Sequence, residues 1–256
     1  MKKMSLFLAA IIFLCGSEAY SFYTPLSDEP LAVMEVPAST PKGEIRFGLQ
    51  HYFSDNKINS ANLRAGYGLT DRIELLLSGM YHSLSASVQG NDYELVISEP
   101  EAGMKIRIAG GSILSASLLA TASSFSFRER QTAPGQPPDA LFTDNFYAVS
   151  LPAQIEAHGF VLILLSPMVI YNSGAGVRTA VSAGLKIILW EDYAFFIEAP
   201  FGVAGKKSAE QMWSAGFQFK AGPHFMTVFM SNSYCFTNSG LLDPVDLMSA
   251  GFRYSF

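Results

Sequence analysis

The stretch Ser98-Glu99-Pro100-Glu101-Ala102-Gly103-Met104-Lys105-Ile106-Arg107-Ile108 decides the fold. In a strand, successive side chains point to opposite faces. Ala102, Met104, Ile106 and Ile108 therefore share one face, and Glu99, Glu101, Lys105 and Arg107 share the other. An apolar face set against a charged one at period two is the pattern of a strand with lipid on one side and a polar lumen on the other. The split recurs upstream. Residues 44–53 set Ile45, Phe47, Leu49 and Phe53 against Glu44, Arg46, Gly48 and Gln50. Residues 61–69 oppose Leu63, Ala65, Tyr67 and Leu69 to Asn62, Arg64, Gly66 and Gly68. After the tight turn Thr70-Asp71-Arg72, Ile73, Leu75 and Leu77 oppose Glu74, Ser78 and His82.

Downstream, Gly110-Gly111 turns the chain into a strand over 113–125, and further strands are expected over 145–157, 160–171, 177–188, 193–201, 213–220, 225–232 and 245–256. The fold class that follows is all-β: a transmembrane antiparallel up-and-down barrel of about twelve strands, with ten or fourteen as alternatives. Short connections at 70–72, 109–112, 158–159, 189–192 and 221–224 alternate with longer ones, which assigns the short turns to the periplasm and the long loops to the exterior. Residues 126–143, with Arg128-Glu129-Arg130 and three prolines, are expected as an exposed loop, and Ser83, Ser85 and Ser87 as part of another polar loop.

Composition agrees. Of 256 residues only 15% are charged, where a soluble domain has about 25%. Residues 160–171 form the longest apolar run, interrupted by Ser166 and Pro167, and so fall short of the ~20 residues of a membrane helix.

The beginning of the chain has the form of a secretory signal: basic Met1-Lys2-Lys3, an apolar run over 5–15, and Ser17-Glu18-Ala19, which predicts cleavage between Ala19 and Tyr20. A lipoprotein acylated at Cys15 is disfavoured by the bulky Leu14 before it. Cleavage leaves Cys235 as the one cysteine, and 15 basic against 21 acidic residues, a net charge of 15 − 21 = −6. That balance excludes a nucleic-acid partner, which needs concentrated Lys and Arg. The domains read as a signal peptide over 1–19, a leader over 20–42 carrying Pro25, Pro30, Pro37 and Pro41, and the barrel over 43–256. The leader either stays in the periplasm or enters the barrel mouth.

The closing residues Ser249-Ala250-Gly251-Phe252-Arg253-Tyr254-Ser255-Phe256 resemble the signal read by the bacterial barrel assembly machinery, through Gly251, Tyr254 and Phe256. The expected partners are that machinery and periplasmic chaperones during biogenesis, then outer-membrane lipid around a monomer. Phe47-Gly48-Leu49-Gln50-His51-Tyr52-Phe53, the segment Leu63-Arg64-Ala65-Gly66-Tyr67-Gly68-Leu69-Thr70-Asp71-Arg72, and Gly222-Pro223-His224-Phe225 running to Ser231-Asn232-Ser233 resemble an uncharacterised outer-membrane β-barrel family typical of Bacteroidota. Here Pro223 stands where that family has a second glycine. The Tyr67 to Arg72 turn also resembles presumed outer-membrane transporters of aromatic-degradation clusters. Both resemblances imply a barrel in the outer membrane, and neither brings a catalytic residue.

Nothing in the sequence forms an enzyme's constellation, so the protein is not expected to be one. His51 falls on the lipid-facing register, His158 and His224 lie at turns, and no serine sits in a nucleophile motif. Metal-ligand spacings and phosphate-binding glycine loops are absent, and no cofactor is implied. His82 alone among the histidines faces the lumen, about 26 Å along the strand from Glu74, too far for an acid–base pair. What remains is the inward charge: Glu44, Arg46, Arg64, Glu74, Glu99, Glu101, Lys105, Arg107, Glu156, Lys186, Glu198, Lys220 and Arg253, six acids and seven bases. Such a ladder either fills a narrow interior with cross-strand ion pairs or lines a narrow aqueous path. The expected function is a channel or binding protein for a small solute. The alternatives are a non-transporting structural or surface-interaction barrel acting through its outer loops and, more remotely, an outer-membrane hydrolase.

Overall fold

The computed structural model describes residues 34–54, 58–88, 91–111, 113–131, 140–174, 176–204, 213–232 and 249–255. The signal peptide, the Ala19–Tyr20 cleavage site, the first part of the leader, Cys235 and Phe256 lie outside the described residues.

Among the described residues thirteen strands carry the fold: β1 Ile45–Ser54, β2 Ile58–Gly68, β3 Ile73–Val88, β4 Asn91–Gly110, β5 Leu114–Gln131, β6 Ala140–Ser150, β7 Ala153–His158, β8 Val161–Asn172, β9 Gly176–Trp190, β10 Tyr193–Ala204, β11 Ser214–Ala221, β12 His224–Ser231 and β13 Ser249–Ser255. Strands adjacent in sequence pair antiparallel, β6 and β7 excepted, and β13 returns to β1, with Gly48 opposite Ser255 and Ser54 opposite Ser249. β6 and β7 both lie between β5 and β8 and form a single broken stave. The result is a closed barrel of twelve staves. Closure pairs the backbone of both edge strands, which is what permits a sheet to cross a bilayer. No helix among the described residues is long and apolar enough to cross a membrane.

Three expectations are corrected. The strand expected over 145–157 is divided at Leu151-Pro152, because Pro152 has no N–H for the ladder. The chain bridges the gap with main-chain bonds from Ser117 N to Pro152 O at 2.9 Å and from Leu151 N to Pro167 O at 2.9 Å. The loop expected over 126–143 is mostly strand: β5 and β6 stay in register from Ser126 opposite Thr143 to Glu129 opposite Ala140, since hairpin pairing satisfies backbone groups whatever the polarity of the side chains. Ser83, Ser85 and Ser87 belong to β3, paired with Val96, Glu94 and Asp92, and not to a loop.

The outer face is an apolar belt of exposed residues, among them Leu63, Leu77, Ile108, Val177 and Met230. Toward the end that carries the short turns, aromatic residues ring it: Tyr67, Phe160, and Trp190 packed edge-on against Tyr193 at 6.0 Å. Amphipathic rings at the border of an apolar belt are the signature of a surface set in lipid.

Candidate functional site: the occupied lumen

Just before β1 the chain doubles back into the barrel. Gly43 adopts φ +79, a left-handed conformation open to glycine. Glu44 N then bonds Pro41 O at 3.1 Å and Gly43 N bonds Gly68 O at 2.7 Å. Lys42 makes a parallel bridge to Gly68. The inner face of β2 carries glycine at positions 66 and 68 because the chain passes directly over it. A Cβ on Gly68 would collide with the carbonyl oxygens of Pro41 and Thr40, and one on Gly66 with the Glu74 carboxylate.

From this hinge residues 34–40 cross the interior. Thr40 Oγ1 donates to Glu74 Oε1 at 2.6 Å on β3, and Met34 N donates to Glu198 Oε2 at 2.8 Å on β10. In a ring of twelve staves β3 and β10 are six apart in either direction, so the segment spans a diameter. Between these ends Ser117 on β5 donates to Pro37 O, and Arg64 on β2 pairs with Glu35. Lys105 Nζ on β4 lies 2.8 Å from Glu74 and 3.7 Å from Glu35. Burial alone would raise the Glu35 carboxyl, but Arg64, Lys105 and Arg253 outweigh it and hold it down at about 2, so it is ionised at neutral pH.

The alternate side chains of the segment meet a different wall. Met34, Val36 and Ala38 are buried against Leu162 and Leu164 of β8, Ile188 of β9, Ala194 and Phe196 of β10 and Phe229 of β12. The interior is thus two-sided, with charge concentrated on β2–β4 and β13 and an apolar patch across β8–β12.

The expected lumen residues fall as follows. Glu74, His82, Glu99, Lys105, Lys186, Glu198 and Arg253 are buried, and Arg46, Arg64, Glu101, Arg107, Glu156 and Lys220 are partly buried. Glu44 is exposed at the rim. The structure gathers Arg64, Glu74 and Lys105 around Glu35. Elsewhere Glu99 accepts from Ser123 Oγ at 2.6 Å, Glu101 from Ser78 Oγ at 3.3 Å, and Glu198 from Ser214. His82 meets Ser60 on the neighbouring strand, both fully enclosed.

Sequence reasoning did not find Glu35, although its isolation was a signal: it is the one charged residue between Leu31 and Pro41. Nor did it find the apolar interior patch, or the tie between His224 Nδ1 and Tyr254 OH at 2.8 Å, whose rings stack at 5.3 Å. That tie fastens the last strand to the β11–β12 turn. On the same strand Gly251 faces inward beneath the Phe229 ring, a place with no room for a side chain.

No family model matches the chain, and no curated protein does. Among solved structures it is similar to a KdgM porin in complex with disordered oligogalacturonate, at 10% identity and a TM-score of 0.54, covering 82% of this chain and 98% of that one. A second KdgM porin structure is similar at 9% identity and a TM-score of 0.51, with 82% and 98% covered. The fold is that of the outer-membrane β-barrels.

Proposed function

We propose that this protein is an outer-membrane channel for a small solute, held closed by residues 34–40 of its own chain. The passage of that segment across a full diameter of the lumen carries the reading. A segment joined to the wall through β1 and held by hydrogen bonds and ion pairs, each individually modest, is a plug that can leave without unfolding the wall. The apolar belt, the aromatic ring and the likeness to porins support placement in the outer membrane.

Planar-bilayer recording tests it. The full chain is expected to stay closed with rare openings, and a chain lacking residues 1–42 to show discrete steps whose ion preference shifts on Arg107→Glu. Silence from both, with each protein migrating as a heat-modifiable folded barrel, would remove the channel reading.

One observation favours a second reading, a surface-interaction barrel. β3, β4 and β5 have 16, 20 and 18 residues, against 8 each in β11 and β12. A bilayer takes about 9–11 residues of tilted strand, so one wall projects beyond it at the end away from the short turns. That reading predicts no conductance from either chain and loss of partner binding when the β5–β6 connection is shortened.

A further inference from the structure

Residues 34–36 fill the lumen in the manner of a ligand. Glu35 brings one carboxylate to Arg64 and Lys105, and its neighbours Met34 and Val36 fill the apolar patch beside it. None of these contacts depends on peptide chemistry. A separate molecule with one carboxylate and an apolar body could make each of them, and the wall's electrostatics favour a single negative charge. Arg64 and Lys105 both face the Glu35 carboxylate, and Glu74 pairs with Lys105. Among these contacts, two positive charges less the one negative charge of Glu74 leave one unit for an anion to neutralise once Glu35 withdraws. A cation would meet that residual positive charge, and a neutral polar solute would leave it uncompensated in a setting where unpaired charge is costly. A fully hydrophilic anion would leave Leu164, Phe196 and Phe229 facing water.

We infer that the lumen binds small amphipathic monocarboxylates, in the place that Glu35 and its two apolar neighbours occupy, and that such a ligand competes with residues 34–40. The inference rests on the channel reading for its biological sense, but binding is measured separately from conduction.

The test is calorimetric titration of the barrel in phosphatidylcholine nanodiscs with hexanoate, hexanol and hexylammonium, against empty nanodiscs. The chain lacking residues 1–42 is expected to bind hexanoate at least about tenfold more tightly than hexanol, and more tightly than the full chain does; Arg64→Gln in the shortened chain should remove that preference. Equal affinity for hexanoate and hexanol, or a preference that survives Arg64→Gln, overturns the proposal. If the shortened chain gives no folded band, Glu35→Gln in the full chain takes its place. Hexanoate should then bind more tightly than to the unaltered chain, and equal binding overturns the competition. A barrel that prefers hexanoate but passes no current keeps the ligand class and loses the channel reading. One that conducts without that preference loses only the ligand class.

Discussion

The two halves of the lumen wall grip the same seven residues by opposite means. On β2–β4 the grip is electrostatic, through Arg64, Lys105 and Glu74. Across β8–β12 it is mainly steric, through Leu162, Leu164, Phe196 and Phe229, with one hydrogen bond from Met34 N to Glu198. Apolar burial of Met34 and Val36 contributes about 1.5–3 kcal/mol for each side chain whatever the ligand state of the opposite wall. The charged grip is conditional. It holds only while a carboxylate stands between the cations, and it turns repulsive if that group changes sign. The apolar half therefore sets how firmly the segment lies in place, and the charged half decides whether it lies there at all.

Reversing the sign at the centre gives the largest expected effect. Glu35→Arg sets a guanidinium against Arg64 and Lys105 and should convert a closed barrel into one with the single-channel current of the chain lacking residues 1–42. Continued closure would mean that the apolar half suffices. Next comes Lys105→Met, which strips Glu74 of its buried partner and should cost about 4 kcal/mol, read as a lowered urea midpoint for the folded band on a gel. Leu164→Ala, on the apolar side, should cost about 3 kcal/mol by the same assay. Its distinguishing feature is a larger loss in the full chain than in the shortened one, because Met34 and Val36 also lose contact. Ser60→Ala is expected to do least. Removing the hydroxyl from His82 should cost about 1 kcal/mol and leave the conductance of the shortened chain unchanged. A loss of lipid or peptide turnover on His82→Ala would instead revive the hydrolase reading.

How much of this the sequence discloses depends on the kind of periodicity involved. The alternation in β1–β4 is unambiguous because lipid and lumen demand different chemistry there, and Arg64, Glu74, Lys105 and Arg253 can be assigned to the inner face by parity alone. Where both faces are apolar the signal vanishes. In β8, Leu162 and Leu164 point inward while Leu165 and Val169 point outward, so the run over 160–171 reads as uniformly hydrophobic and hides its interior half. Pro152 is visible as a ladder breaker, yet the strands that resume on either side of it merge into one period. The placement of residues 34–40 has no periodic signature at all. It is set by a hinge at Gly43 and by contacts to strands between 26 and 164 residues away, from the bridge between Lys42 and Gly68 at the near end to the bond from Met34 to Glu198. The isolated Glu35 and the paired inner glycines of β2 are the only local traces it leaves.

Gly68 sets a condition on how the protein can vary. The atoms that a side chain there would meet first are the Pro41 and Thr40 carbonyls, so the intolerance of this position is imposed by the segment. In the shortened chain alanine at Gly68 should be harmless, and in the full chain it should unseat the plug. The two stretches, some 27 residues apart from Pro41 to Gly68, form one epistatic pair: a lineage that discards the plug releases the glycine to drift, and one that keeps the plug inherits both.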